Sequence, residues 1–115
     1  MKKVNIIKKT QEFEKIIKYR HNYSNRFFVI YIMKKTEDYY RFGISIPKKV
    51  GNSVMRNKLK RQIKSIIDQK INFNTDLDYV IIVRKEIIDL DYNDKIKNLE
   101  SLLIKIDGAW KSEKI

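Results

Sequence analysis

Between Tyr39 and Gln69 the spacing of apolar residues changes from two to about 3.6, and the change is made across one proline and one glycine. Tyr40, Phe42, Ile44 and Ile46 alternate with Tyr39, Arg41, Gly43 and Ser45, the pattern of a strand with one face in a core and a second face that is polar and low in relief. Pro47 ends that strand, Gly51 supports the turn, and Asn52 or Ser53 caps a helix running to about Gln69. At about 100° per residue, Met55, Leu59, Ile63, Ile66 and Ile67 fall on one apolar stripe. A strand and a helix that each hide one face must share a core, so the chain is expected to layer helices on a sheet.

The charge in this interval has one sign. From Asp38 to Asp68 there is no carboxylate, yet Arg41, Lys48, Lys49, Arg56, Lys58, Lys60, Arg61 and Lys64 lie between them and account for most of the formal net charge of +12. Arg56, Lys60 and Lys64 follow one another along the edge of the apolar stripe, with Asn57 and Arg61 farther round on the same side. Like charges at i, i+4 destabilise an isolated helix by roughly 0.2–0.5 kcal/mol per pair, a cost that an anionic partner removes. A solvated helix usually intersperses both signs, so this one is read as a phosphate-binding ridge. Part of the lysine excess follows from a composition biased to Ile, Lys and Asn, so the placement of the charge carries more weight than its total.

Around this centre the remaining elements are short and regular. Thr10 is placed to cap a helix from Gln11 to about Tyr19, with Phe13, Ile16 and Ile17 inward. Phe27 to Met33 reads as a strand covered on both faces, Asn72 to Asp78 as a polar loop, and Tyr79 to Val83 as a buried strand that runs into Arg84 and Lys85. Asp91 and Asp94 suggest the cap of a last helix, with Ile96, Leu99, Leu103 and Ile106 on one face and Gly108 as its stop. The order α, β, β, α, β, α in 115 residues predicts a single-domain α+β sandwich, with room for a further short edge strand.

Several chemistries are poorly supported. His21 is the only histidine and sits in a turn; the close carboxylate pairs Asp76/Asp78 and Asp89/Asp91 fall where loops and caps are expected. There is no cysteine, phosphate-binding glycine loop of the nucleotide-hydrolase type, zinc-ligand spacing or serine nucleophile elbow. We therefore expect no catalytic residue and no metal ligand in this chain. No apolar run approaches the ~18 residues of a membrane helix, and residues 1–10 lack the apolar core of a signal peptide, so a cytoplasmic protein with no membrane partner and no small-molecule cofactor is expected. Asn22-Tyr23-Ser24 matches a glycosylation sequon that such a protein would not use.

Phe42-Gly43-Ile44-Ser45-Ile46-Pro47-Lys48-Lys49-Val50-Gly51-Asn52-Ser53-Val54-Met55-Arg56-Asn57-Lys58-Leu59-Lys60-Arg61 closely resembles the signature of the bacterial ribonuclease P protein subunit. The likeness extends in outline to Glu12-Phe13, to Phe28-Val29-Ile30-Tyr31 and to Asp78 through Lys85. The family usually has Ala where Ser53 stands and Arg where Lys58 and Lys64 stand, and it often has a glycine near Tyr19-Arg20-His21, where this chain has none.

The resemblance implies a two-layer α/β sandwich whose four-stranded sheet contains a left-handed βαβ crossover, against the usual right-handed rule. It implies a partner, the catalytic RNA subunit, that cleaves with bound Mg²⁺, and a substrate, precursor tRNA, whose 5′ leader is removed. It further implies that Arg56, Asn57, Lys58, Lys60, Arg61 and Lys64 bind RNA, and that Phe13, Ile17, Tyr31, Arg41, Ser45, Lys48, Lys49, Arg84 and Lys85 line a cleft for the leader. Ile17 stands where the family often has an aromatic residue. A structural RNA-binding protein and a protein-only nuclease are the competing readings.

Overall fold

A computed structural model describes residues 1–69 and 71–113. Four strands, β1 (Asn22–Ser24), β2 (Phe28–Lys34), β3 (Arg41–Ser45) and β4 (Leu77–Val83), form one sheet in the order β1-β2-β4-β3. Three helices accompany it: α1 (Thr10–Lys18), α2 (Ser53–Asp68) and α3 (Tyr92–Glu113). β1–β2 and β2–β4 are antiparallel, whereas β3 and β4 are parallel and joined through α2. The short edge strand allowed for by the sequence is β1, which turns back on β2 with Asn22 opposite Tyr31 and Ser24 opposite Val29. At the other edge Ile6 bridges to Phe42, and the Ile7 amide donates to the Phe42 carbonyl at 2.9 Å, so the N-terminal segment covers β3.

Alternation divides the sheet's side chains between two layers. Phe28, Ile30, Ile32, Phe42, Ile44, Tyr79, Ile81 and Val83 face one side and pack with Leu59, Ile63, Ile66 and Ile67 of α2 and Leu99, Leu102, Leu103 and Ile106 of α3. The Phe42 and Tyr79 rings stack there at 4.5 Å, and the wholly buried Tyr79 hydroxyl donates to the Asn74 carbonyl at 2.6 Å. The second face is smaller: Ile16 of α1 buries Val80 with Ile7, and Phe13, Ile17, Tyr31, Met33 and Ile82 are packed around them. That explains the continuous apolar run of β4, which is covered from both sides.

Four expectations need correction. Thr10 starts α1 and does not cap it; the N-cap position is Lys9, which makes no side-chain cap hydrogen bond. Met55, assigned to the buried stripe of α2, is 41% exposed: it lies in the helix's first turn, where its side chain packs over Gly51. Asp78 belongs to β4 and not to the preceding loop, and its side chain is fully buried. Gly108 does not stop the last helix: a Cβ there would meet nothing within 4 Å, and the helix runs on to Glu113, with Trp110 packed on the core one turn from Ile106. One exposed glycine costs a helix only about 1 kcal/mol, which a buried stripe continuing past it offsets. Of the two residues considered for the cap of α2, Asn52 does the capping, its Oδ1 accepting from the Met55 amide at 2.9 Å.

Candidate nucleic-acid interface

Because β3 and β4 are parallel, both deliver the chain to the same edge of the sheet. β3 continues through Pro47 into a short turn, Lys48–Val50, while β4 continues through Arg84 into Lys85–Asp89, and the two turns touch. Lys48, Lys49, Arg84 and Lys85 are therefore exposed together at one end of the molecule. The first turn of α2 begins at the same end. Gly51 is in extended backbone, so its role is steric: a Cβ there would lie 2.9 Å from Cγ of Met55. The half-buried Arg56 donates from Nε to the Gly51 carbonyl at 3.2 Å, which fixes that guanidinium over the turn.

Along α2, Asn57, Lys58, Lys60 and Arg61 are exposed and Lys64 is half-buried. The helical period places Lys60 and Lys64 on one flank, with Lys58 and Gln62 on the other. Among the described residues none of Lys48, Lys49, Arg56, Lys58, Lys60, Arg61, Lys64, Arg84 or Lys85 has a carboxylate within ion-pair distance. Among the described residues, α2 and the two turns thus present these cations without an ion-pair partner.

The second sheet face makes a groove with α1. Strand register sets its floor in rows: Met33, Asp78 and Arg41 in one, Tyr31, Val80 and Gly43 in the next, Val29, Ile82 and Ser45 in the third. α1 lies over the middle row, with the Phe13 ring so close to Gly43 that an added Cβ would sit 2.6 Å from its Cζ. Phe13, Ile17 and Tyr31 come together there as half-buried side chains, and the third row opens toward Lys48, Lys49, Arg84 and Lys85.

Arg41 closes the opposite end. Its Nη2 donates to Oδ2 of Asp78 at 2.9 Å and its Nε approaches Oδ1 at 3.4 Å, while Nη1 donates to Oε2 of Glu12 on α1. The bonds to Asp78 raise the guanidinium above its ordinary, already high value. Of the cations expected to line the groove, Arg41 is thus the one whose charge is already met inside the protein. Neither Glu12 nor Asp78 was marked by sequence reasoning as its partner. The available signal was a lone arginine on the polar face of a strand, with no rule to say which acid would cross to it.

Groups considered for catalysis are occupied structurally. His21 Nε2 lies 3.4 Å from the Tyr23 hydroxyl and its ring is 6.4 Å from that of Trp110. Asp78 is held by Arg41, Asp91 Oδ1 caps α3 by accepting from the Asp94 amide at 2.8 Å, and Asp76 is 3.5 Å from Lys35. Among the described residues no three metal-ligating side chains converge, and no helix is long and apolar enough to cross a membrane.

Known proteins share this chain's sequence pattern and fold. The family model described as Ribonuclease P matches residues 1–107. The ribonuclease P protein component of Mycoplasma capricolum is 44% identical over 108 residues, covering 92% of this chain and 95% of that protein. Its counterpart from Streptococcus agalactiae is 41% identical, covering 94% and 98%. Among solved structures, a Staphylococcus aureus RNase P protein mutant with defective mRNA degradation activity superposes with a TM-score of 0.83 at 35% identity, covering 90% of this chain and 89% of that one. The RNase P protein from Thermotoga maritima gives 0.77 at 29% identity, covering 84% and 93%.

Proposed function

The chain belongs to the ribonuclease P protein family, and from that premise we propose that it binds both the catalytic RNA subunit and the 5′ leader of precursor tRNA, promoting removal of the leader. The observation that carries this reading is the meeting of two features at one end of the sheet. Half-buried Phe13, Ile17 and Tyr31 gather where α1 crosses the sheet above Gly43, and the neighbouring row Val29, Ile82 and Ser45 leads toward Lys48, Lys49, Arg84 and Lys85, cations without an ion-pair partner among the described residues.

Each feature supplies a different part of binding. Arg56, Asn57, Lys58, Lys60, Arg61 and Lys64 offer charge and hydrogen bonds to RNA phosphates. Neutralising five of these makes log affinity fall with log salt at a slope of about −3.5 for single strands to −4.5 for duplex. The groove offers aromatic faces on which bases stack whatever their sequence, at about 1–3 kcal/mol per base. A protein that handles many leaders needs sequence tolerance of that kind. Ser45 adds a hydroxyl on the floor, and Arg41 holds the groove's far end together through Glu12 and Asp78.

Cleavage is assigned to the RNA subunit together with Mg²⁺ that it binds. Glu12 and Asp78 beside the groove are both committed to Arg41, and among the described residues no three metal-ligating side chains gather, so the residues present do not fit a metal centre of this chain's own. The cytoplasm, where the RNA subunit and precursor tRNA are made, is the proposed location. The test is reconstitution at low Mg²⁺: purified protein added to the catalytic RNA is expected to stimulate precursor-tRNA cleavage, and protein without that RNA is expected to yield no product. Product from the protein alone would support the protein-only nuclease instead. RNA binding without stimulation would leave a structural RNA-binding protein.

A further inference from the structure

We infer that Lys95 of α3 joins Lys58 of α2 to form a second phosphate-binding surface, directed at the duplex backbone of the RNA subunit from the flank of α2 opposite Lys60 and Lys64. This inference rests on the reading that the chain binds that RNA. Lys95 carries no signal in the sequence, since it lies in a helix of mixed charge far from the signature segment.

The geometry is that of a seam between two helices. Lys58 and Gln62 are neighbours at i, i+4, and Lys95 Nζ donates to Gln62 Oε1 at 3.0 Å, which holds the ammonium beside Lys58. Next along the seam, Tyr92 is fixed by Gln69, which donates to its hydroxyl at 2.8 Å, and by Ser65 at 3.3 Å. Two cations from two elements are thus placed side by side, with α3 anchored to the core by Leu99, Leu102, Leu103 and Ile106. Among the described residues the acid that acts on Lys95 is Asp91, and it already caps α3 through Oδ1. Partial burial, and then the Lys58 charge, lower the Lys95 pKa from its ordinary value, as expected for a cation without sufficient compensation.

The form of the partner follows from position and chemistry. α2 and α3 cover the sheet face opposite the groove, so a single strand lying along Phe13 and Tyr31 does not pass the seam. The one aromatic residue of the seam, Tyr92, is half-buried with its hydroxyl engaged, which leaves no open ring for an unpaired base to stack on. A held ammonium beside a second exposed one, without a stacking surface, suits phosphates of a paired backbone, read by shape and charge.

The experiment measures affinity for the catalytic RNA subunit over a range of salt concentrations, with wild-type protein, K95Q and K95R. K95Q is expected to weaken binding roughly fivefold and to make the salt slope shallower by about one, with K95R restoring both. Its urea midpoint should be unchanged or higher, because a like-charge contact is lost and glutamine can still bond Gln62. The loss should be the same for holoenzymes assayed on leader-bearing and leaderless substrates. Wild-type affinity and slope in K95Q, or a loss confined to leader-bearing substrates, would overturn the inference. A wild-type protein with no salt-dependent affinity for that RNA would instead sink the parent reading, whatever Lys95 does.

Discussion

Arg41 and Asp78 meet across the parallel pair β3–β4 in a two-pronged ion pair, 2.9 Å from Nη2 to Oδ2, and the carboxylate is wholly out of solvent. The guanidinium also reaches Glu12, so one side chain ties α1 to two strands. Removing Arg41 would leave the Asp78 carboxyl buried without its partner. Arg41→Ala is therefore expected to cost about 3–5 kcal/mol in urea unfolding, the range for a broken buried pair. Arg41→Lys should recover only part of it, since a lysine cannot present two parallel donors. A cost for Arg41→Ala below about 1 kcal/mol would mean that the pair is in effect solvated.

Gly43 is required by what lies above it. An added Cβ 2.6 Å from Phe13 Cζ and 3.3 Å from Ile7 Cβ forces α1 away from the sheet. Gly43→Ala is expected to destabilise the fold by about 1–3 kcal/mol, as overpacking does, and to weaken binding of leader-bearing substrate. Affinity for the RNA subunit alone should hold, because α2 is on the other face. Phe13→Leu in the same chain should recover stability but not the stacking surface, and equal losses on both RNAs would contradict this division of labour.

Much of this is legible in the sequence. The period change at Pro47–Gly51, the cap at Asn52 and the one-signed charge of α2 are local properties, and each is set by residues within a few positions of one another. What escaped depends on pairings distant in sequence. Asp78 looked like a loop residue because Asp is a poor strand former, and only Arg41, 37 positions away, makes it acceptable within β4. Gly108 looked like a stop because glycine often is one, and tertiary packing of Trp110 overrode the local signal. Met55 satisfies the helical period but, in the first turn of α2, packs over Gly51 and stays exposed. Arg41, Gly43 and Ser45 share the polar face by alternation alone, and Phe13 and Ile17 join them through the resemblance; which residues of the neighbouring strands stand beside Gly43 follows from strand register, which periodicity leaves open.

The turn after α1 offers a stability test. Where the family often has a glycine, Arg20 takes a left-handed conformation with φ of 61°, just past the end of the helix. A side chain there costs roughly 1–2 kcal/mol relative to right-handed backbone, and glycine does not bear that cost. Arg20→Gly is expected to raise stability by about 0.5–1 kcal/mol, part of the gain being lost to glycine's freedom in the unfolded chain. Arg20→Val should destabilise. An Arg20→Gly variant that melts earlier than wild type would show that the arginine side chain contributes more than its backbone costs.

Lys95 and Tyr79 give the fold opposite responses to alkali. Burial, then the Lys58 charge, lower the folded-state pKa of Lys95, with Asp91 partly opposing. Between that lowered value and the unfolded value of about 10.4, the unfolded chain binds more protons than the folded one, so stability rises with pH. Burial instead pushes the Tyr79 hydroxyl well up. Above about pH 10 the unfolded tyrosine loses its proton while the folded one keeps it, and stability falls. Unfolding free energy is thus expected to climb into the alkaline range and then drop. K95Q should flatten the climb and Tyr79→Phe the drop. RNA phosphates favour charged Lys95, so the complex should take up a proton in the rising window and affinity should decline there as pH rises. Isothermal titration in two buffers of different ionisation enthalpy would register that uptake in wild type and its loss in K95Q.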